Sequence, residues 1–212
     1  MAQRTIQYLF GEIISNHLEL ADKERFLLGS IMPDAVEARD KDKSHFKVKT
    51  DMQVYLDFEA YRNKYFDLMQ QDDLYLGYYM HLVEDAFYRV FIYQDCFTMP
   101  RTREEVELLH NDYHILNSYI VKKYDIHNIL ERDIILEHES IGNIATFLIH
   151  ESLNKLSDEF AEQTQGATVF LTEHMLDEFV ETYIPLAIEE IISLKKGTST
   201  LRVSDYAWLR KR

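Results

Sequence analysis

The chain has 212 residues, 46% of them hydrophobic and 28% charged, a balance that suits one folded globular domain and excludes a disordered or membrane-embedded polymer. Its formal net charge of −14, from 37 acidic and 23 basic residues, repels polyanionic backbones and argues against nucleic-acid binding. Cys96 is the only cysteine, so an intramolecular disulfide and a thiolate zinc site of the ribbon or finger type are both excluded, and any metal is expected to be held by His, Asp and Glu.

In chain order, the opening stretch MAQRTIQYLFGEIIS lacks the apolar run and cleavage site of a signal peptide. No later segment offers the roughly 18 apolar residues that span a bilayer. The expectation is a cytoplasmic protein without stable membrane insertion. Ile6, Leu9, Phe10, Ile13, Ile14 and Leu18 form the apolar stripe of a first helix, and a short second helix over 22–30 ends at Gly29 before Pro33. Residues 33–50 are highly charged and show no sustained period, which predicts a long surface loop of a length often used for function. Val54, Phe58, Tyr61, Tyr65 and Leu68 mark the next helix. Residues 73–94 are apolar around most of the helical circumference, the pattern of a helix buried at the centre of a bundle. Beyond Pro100, residues 101–123 are amphipathic, with Val106, Leu109, Tyr113, Leu116 and Ile120 facing inward. Further helices are expected near 126–137, 142–155 and 168–194, the last kinked or divided at Pro185. Three prolines and six glycines interrupt little of this. The reading is an all-α, multi-helix single domain over 1–212. It has a first half of about 1–125, C-terminal helices over about 126–194, and a basic tail, 195–212, expected to be solvated or frayed.

His81 and Asp85 lie four residues apart and project from one face of the most apolar helix. An ionised carboxylate in an apolar setting costs several kcal/mol unless it is paired or coordinated, and a metal ion satisfies both a carboxylate and a neutral imidazole. Asp85 could equally bond His81 or Arg89, so the pair alone leaves both readings open. Further candidate ligands stand upstream. Asp34 follows Pro33 in GSIMPDA (29–35), where the Pro-Asp step can turn a carboxylate back toward the bundle, and His45 lies in the charged loop. Taken singly, Asp34 is a turn residue and His45 a surface histidine. Helical geometry turns Glu84 about 100° away from the face shared by His81 and Asp85, which makes it structural.

The order G-x-x-x-P-D (29–34), S-H-F (44–46), Y-M-H-L-V-E-D (79–85) and H-N-D-Y-H (110–114) resembles the zinc-dependent phospholipase C family, including its short intracellular members, over roughly the first 125 residues. The resemblance implies an all-α bundle of the phospholipase C and P1 nuclease type, holding one to three zinc ions, with the first site occupied. It implies that Asp34, His45, His81 and Asp85 form that first site, that Asp85 bridges to a neighbouring metal, and that His110 and His114 belong to a second one. His17 is a possible substitute for a missing N-terminal ligand. The implied activity is hydrolysis of a phosphodiester or phosphomonoester of a small soluble substrate, with Asp34 as the base that accepts a proton from water. Where the family often carries a Thr-His pair this chain reads Thr5, Ile6, Gln7, and Val90 and Phe91 stand where another histidine is usual. Those departures point to the alternative of a helical metal-binding scaffold without catalysis. A phosphohydrolase of the HD type is disfavoured because no adjacent His-Asp doublet occurs anywhere in the chain.

Overall fold

Five of the helices described in this chain start where a side chain takes an orphan amide of the first turn. Asp22 accepts from Arg25 N, Asp57 from Ala60 N, Asp72 from Leu74 N and Thr172 from Met175 N, while Thr102 and Glu105 form a reciprocal capping box. The computed structural model describes residues 3–92, 96, 102–130, 134, 136 and 141–209. Its helices are α1 (Arg4–Ser15), α2 (Lys23–Ile31), the single turn α3 (Lys41–Ser44), α4 (Phe58–Met69), α5 (Asp73–Val90), α6 (Arg103–Lys123), α7 (Ile149–Ala161) and α8 (Glu173–Leu194). Strands β1 (Lys47–Lys49), β2 (Gln53–Leu56) and β3 (Trp208–Leu209) form a small antiparallel sheet in the order β1-β2-β3. The molecule is mostly helical, as the hydrophobic period predicts.

Helix α5 is the central element. Every residue from Leu74 to Tyr88 is buried, and α1, α2, α4, α8 and β2 pack around it. Its tightest neighbour is α2, and two glycines explain why. A Cβ on Gly29 would lie 2.2 Å from the Leu74 carbonyl oxygen, and one on Gly77 would lie 2.0 Å from that of Phe26. The two backbones therefore touch at a crossing that only glycine permits. That crossing brings the end of α2, and the Met32–Asp34 turn that follows it, against the middle of α5.

Several expectations need correction. The segment 33–50 is no loose surface loop: it folds into two 3-10 turns, α3 and β1, and it buries Ser44 and His45. Val54 belongs to β2, so the next helix begins only at Phe58. Strands of two to four residues are too short to show a period of two. No helix forms over residues 126–130, and 131–133, 135 and 137 lie outside the described residues. Helix α7 starts at Ile149 rather than 142, and α8 starts at Glu173 and runs unbroken past Pro185. On α6, Val106 is exposed whereas Asp112 is buried and accepts from the amides of Val169, Phe170 and Leu171 at 2.9, 2.6 and 3.0 Å.

The tail is ordered through Leu209. Glu190 on α8 is fully buried and accepts from Tyr79 Oη at 2.7 Å, Ser199 Oγ at 2.8 Å, Thr200 N at 2.7 Å and Leu201 N at 3.2 Å. This carboxylate pins the segment after α8 to the bundle and delivers β3 to the edge of β2. Residues 210–212, which complete the basic cluster, lie outside the described residues. No helix among the described residues is long and apolar enough to cross a membrane.

Candidate metal centre

Three of the candidate ligands converge. Asp34 Oδ1 lies 3.6 Å from His45 Nε2, and His45 Nε2 lies 3.2 Å from His81 Nε2. Asp34, His45 and His81 are the group of donors, among the described residues, whose ligand atoms all lie within 4.8 Å of one another. Asp85 joins from the side of His45, with Oδ2 3.6 Å from Nε2. His45, His81 and Asp85 are no more than 1% exposed.

Each side chain is aimed by its own element. The Pro33-Asp34 step closes a 3-10 turn at the end of α2 and turns the Asp34 carboxylate inward. His81 sits mid-way along α5, and its Nδ1 bonds the Ser30 carbonyl at 2.7 Å, across the crossing that Gly29 and Gly77 make possible. His45 follows α3, and its Nδ1 bonds the Lys41 carbonyl at 2.8 Å. Tyr78 Oη donates to the Ser44 carbonyl at 2.6 Å and ties α3 to α5. Directly after His45 the backbone turns left-handed at Phe46, with φ 48°, a conformation that a bulky residue adopts only when its surroundings hold it. The Phe46 ring, edge-on to Tyr61 at 5.3 Å, supplies that hold.

These bonds fix the chemistry of the two rings. A carbonyl oxygen only accepts, so Nδ1 of both histidines carries the hydrogen, and in the neutral ring Nε2 presents a lone pair. Two such nitrogens tolerate a 3.2 Å approach only with a proton or a cation between them. His45 does not take up the proton readily: burial pushes its pKa down to about 4, against the opposing pull of Asp34. The Asp34 carboxyl is pushed up by burial but, on balance, held well below the usual carboxylate range by His45, His81 and Lys41. Asp85 likewise ends below its ordinary value, burial being outweighed by favourable electrostatic interactions with neighbours that include His45, His81 and Arg89.

The spacing fits a metal ion. Four ligands at zinc's usual bond lengths of about 2.0–2.1 Å stand about 3.4 Å apart along the edges of a tetrahedron. From His45 Nε2, His81 Nε2 and Asp34 Oδ1 stand at 3.2 and 3.6 Å, close to that edge; Asp85 Oδ2 is also 3.6 Å from His45 Nε2 but stands outside the group whose ligand atoms all lie within 4.8 Å of one another. Backbone carbonyls on both Nδ1 atoms are the outer partners that metal-bound imidazoles ordinarily have.

Other predicted ligands stand elsewhere. His17 lies beyond the C-terminus of α1 and is exposed, bonding the Ile13 carbonyl through Nδ1 at 2.8 Å. His110 and His114 are exposed on α6; His110 stacks on Tyr113 and His114 pairs with Glu162 at 2.9 Å. None of the three is in the Asp34 group. Gln7, read from sequence as a missing ligand, does reach the site: its Nε2 donates to Asp34 Oδ2 at 3.0 Å. Lys41 was not foreseen, and its Nζ donates to Asp34 Oδ1 at 2.7 Å. Its place seven residues after Asp34 gives no sequence signal, because the intervening turns have no period. Glu84 is fully buried with its carboxyl pKa raised well above the ordinary value by burial and by Asp85, as befits a neutral acid facing the core.

Beside the cluster is a cavity of about 240 Å³ that shares His45 and Asp85 with it. Lys41, Lys47 and Arg89 bring positive charge to its wall, Asp42 a negative one, and Leu56 and Trp208 an apolar surface. No protein-family model, curated protein or solved structure matches this chain. The site is therefore read from its own geometry.

Proposed function

We propose that this chain is a zinc-dependent hydrolase of phosphoester bonds, acting on a small phosphodiester or phosphomonoester. The observation that carries the reading is the pair of Nε2 atoms facing each other at 3.2 Å with both Nδ1 atoms already committed to carbonyls, beside two buried carboxylates. Asp34, His45, His81 and Asp85 would hold the ion; their nitrogen and oxygen donors suit zinc. Bound there, a divalent cation supplies the charge that acidifies water toward neutral pH and polarises a phosphoryl oxygen.

The remaining work falls to the protein. Two carboxylates neutralise a dication, after which Lys41, Lys47 and Arg89 outnumber Asp42 around the cavity, so the wall favours an anion such as a phosphoryl group. Asp34 accepts from both Gln7 and Lys41, which holds its carboxylate in place to fix the ion. Of the two carboxylates at the centre, Asp85 is the one that borders the cavity, where it would receive a proton.

The test is the zinc content of protein purified without added metal, followed by turnover of an activated aryl phosphodiester with and without chelator. About one zinc per chain and chelator-sensitive turnover support the proposal; absence of both overturns it. A second reading, a metal-stabilised scaffold without catalysis, is favoured by the exposed positions of His110 and His114 outside the Asp34 group. It expects bound zinc and a zinc-dependent melting temperature with no turnover on any phosphoester.

A further inference from the structure

The C-terminal segment contributes to the cavity although it comes from the opposite end of the chain. Trp208 pairs with Val54 across β3 and β2, and Leu56 lies two residues further along β2, on the same face of the sheet as Val54. Leu56 and Trp208 together form the apolar part of the cavity wall. Arg89 stands at the seam, its guanidinium 5.6 Å from the centre of the indole ring and within the same wall. An anion held between the metal ligands and Arg89 would have the apolar Leu56 and Trp208 part of the same wall beside it.

We propose that Trp208 and Arg89 form the specificity subsite of this centre, and that its substrates are small phosphate esters whose organic group is flat and aromatic. The inference rests on the phosphoesterase reading above. Arg89 matches the phosphoryl oxygens with a planar fork of donors. The indole offers a face or edge on which another ring packs in an offset or edge-on arrangement, a gain that a saturated ring of equal size does not have. About 240 Å³ is enough to hold a phosphoryl group with one or two fused rings. The subsite depends on β3 being in place, and Glu190 secures that by holding residues 199–201 to α8.

Trp208 is the single tryptophan of the chain, so its emission reports on the cavity directly. The experiment uses zinc-loaded full-length protein and two ligands of matched size that cannot be hydrolysed, phenylphosphonate and cyclohexylphosphonate, with inorganic phosphate as reference. Affinities are measured by calorimetry and by Trp208 fluorescence, and zinc content is measured on every sample. We expect phenylphosphonate to bind roughly 2- to 10-fold tighter than cyclohexylphosphonate, the range that aromatic pairing confers, and to alter Trp208 emission at saturation. Trp208→Leu should abolish the preference at unchanged zinc content, Trp208→Phe should keep part of it, and Arg89→Gln should weaken all three ligands. Equal affinities, a preference that survives Trp208→Leu, or unchanged emission at saturation would overturn the subsite while leaving the metal centre standing. Failure of the protein to take up zinc would remove the metal centre and the subsite with it.

Discussion

His45 gives the sharpest test of how the cluster is built, because its burial has a computable consequence for stability. Its pKa of about 4 in the folded, zinc-free protein lies below the ordinary value of 6.5. Between those two values the unfolded chain binds a proton that the folded one refuses. Stability is thus fully present above pH 6.5 and is lost as pH falls from there toward 4. For a single group with these two pKa values, going from about pH 7.5 to about pH 4.5 removes on the order of 2–3 kcal/mol. In a chain of this size that corresponds to a fall in Tm of about 5–10 °C. The perturbation is His45→Asn, whose amide can still donate to the Lys41 carbonyl but does not titrate. Other groups also lose stability in acid, so the measured quantity is the difference between native protein and variant. Urea unfolding in the presence of chelator, repeated across this pH range, should show the variant losing on the order of 2–3 kcal/mol less than the native chain. Parallel pH profiles would refute the placement of His45 as a buried neutral ring. Excess zinc at about 100 times its Kd should stabilise the native protein by about 2.7 kcal/mol and the variant far less.

Other consequences can be checked separately. Gly77→Ala places a methyl group 2.0 Å from the Phe26 carbonyl oxygen, so α2 and α5 must separate; a loss of about 3 kcal/mol or more is expected in urea unfolding, together with weaker zinc uptake as Ser30 withdraws from His81. Lys41→Met removes the ammonium that shares Asp34 Oδ1, and the zinc-free protein should lose about 1–2 kcal/mol while zinc binds about fivefold tighter by calorimetry, since a like charge beside the ion is gone. Weaker zinc binding in that variant would show that Lys41 supports the ligand instead of competing for it. Glu190→Gln halves the acceptor capacity that holds residues 199–201, and should cost about 2–4 kcal/mol. Hydrogen exchange should show the loss of protection concentrated after Leu194.

Much of the candidate site was legible in the residues. An apolar helix that contains His81 and Asp85 at one-turn spacing forces the question of what neutralises a buried carboxylate, and the Pro33-Asp34 step marks a turn that can aim another one inward. Asp34, His45 and His81 do meet, and Asp85 stands beside His45. His17, His110 and His114 show the limit of the same reasoning. Helical spacing says which residues share a face, but whether that face meets the core depends on how the helix is rotated against its neighbours. On α6 the rotation buries Asp112 and Tyr113 and leaves both histidines outside.

What the amino-acid order determined by itself is local: the periods of the helices, the caps that begin them, the centrality of the helix from Asp73 to Val90, and the absence of thiolate ligands. Those features depend on residues within a few turns of one another, where spacing and chemistry suffice. Only the tertiary structure decided that His45 is buried, that Gln7 and Lys41 reach Asp34, and that Trp208 returns to line the cavity. Each of these joins parts of the chain through a short strand, an aperiodic turn or a backbone crossing between glycines. Such contacts are set by packing between elements and leave no period in the sequence to read.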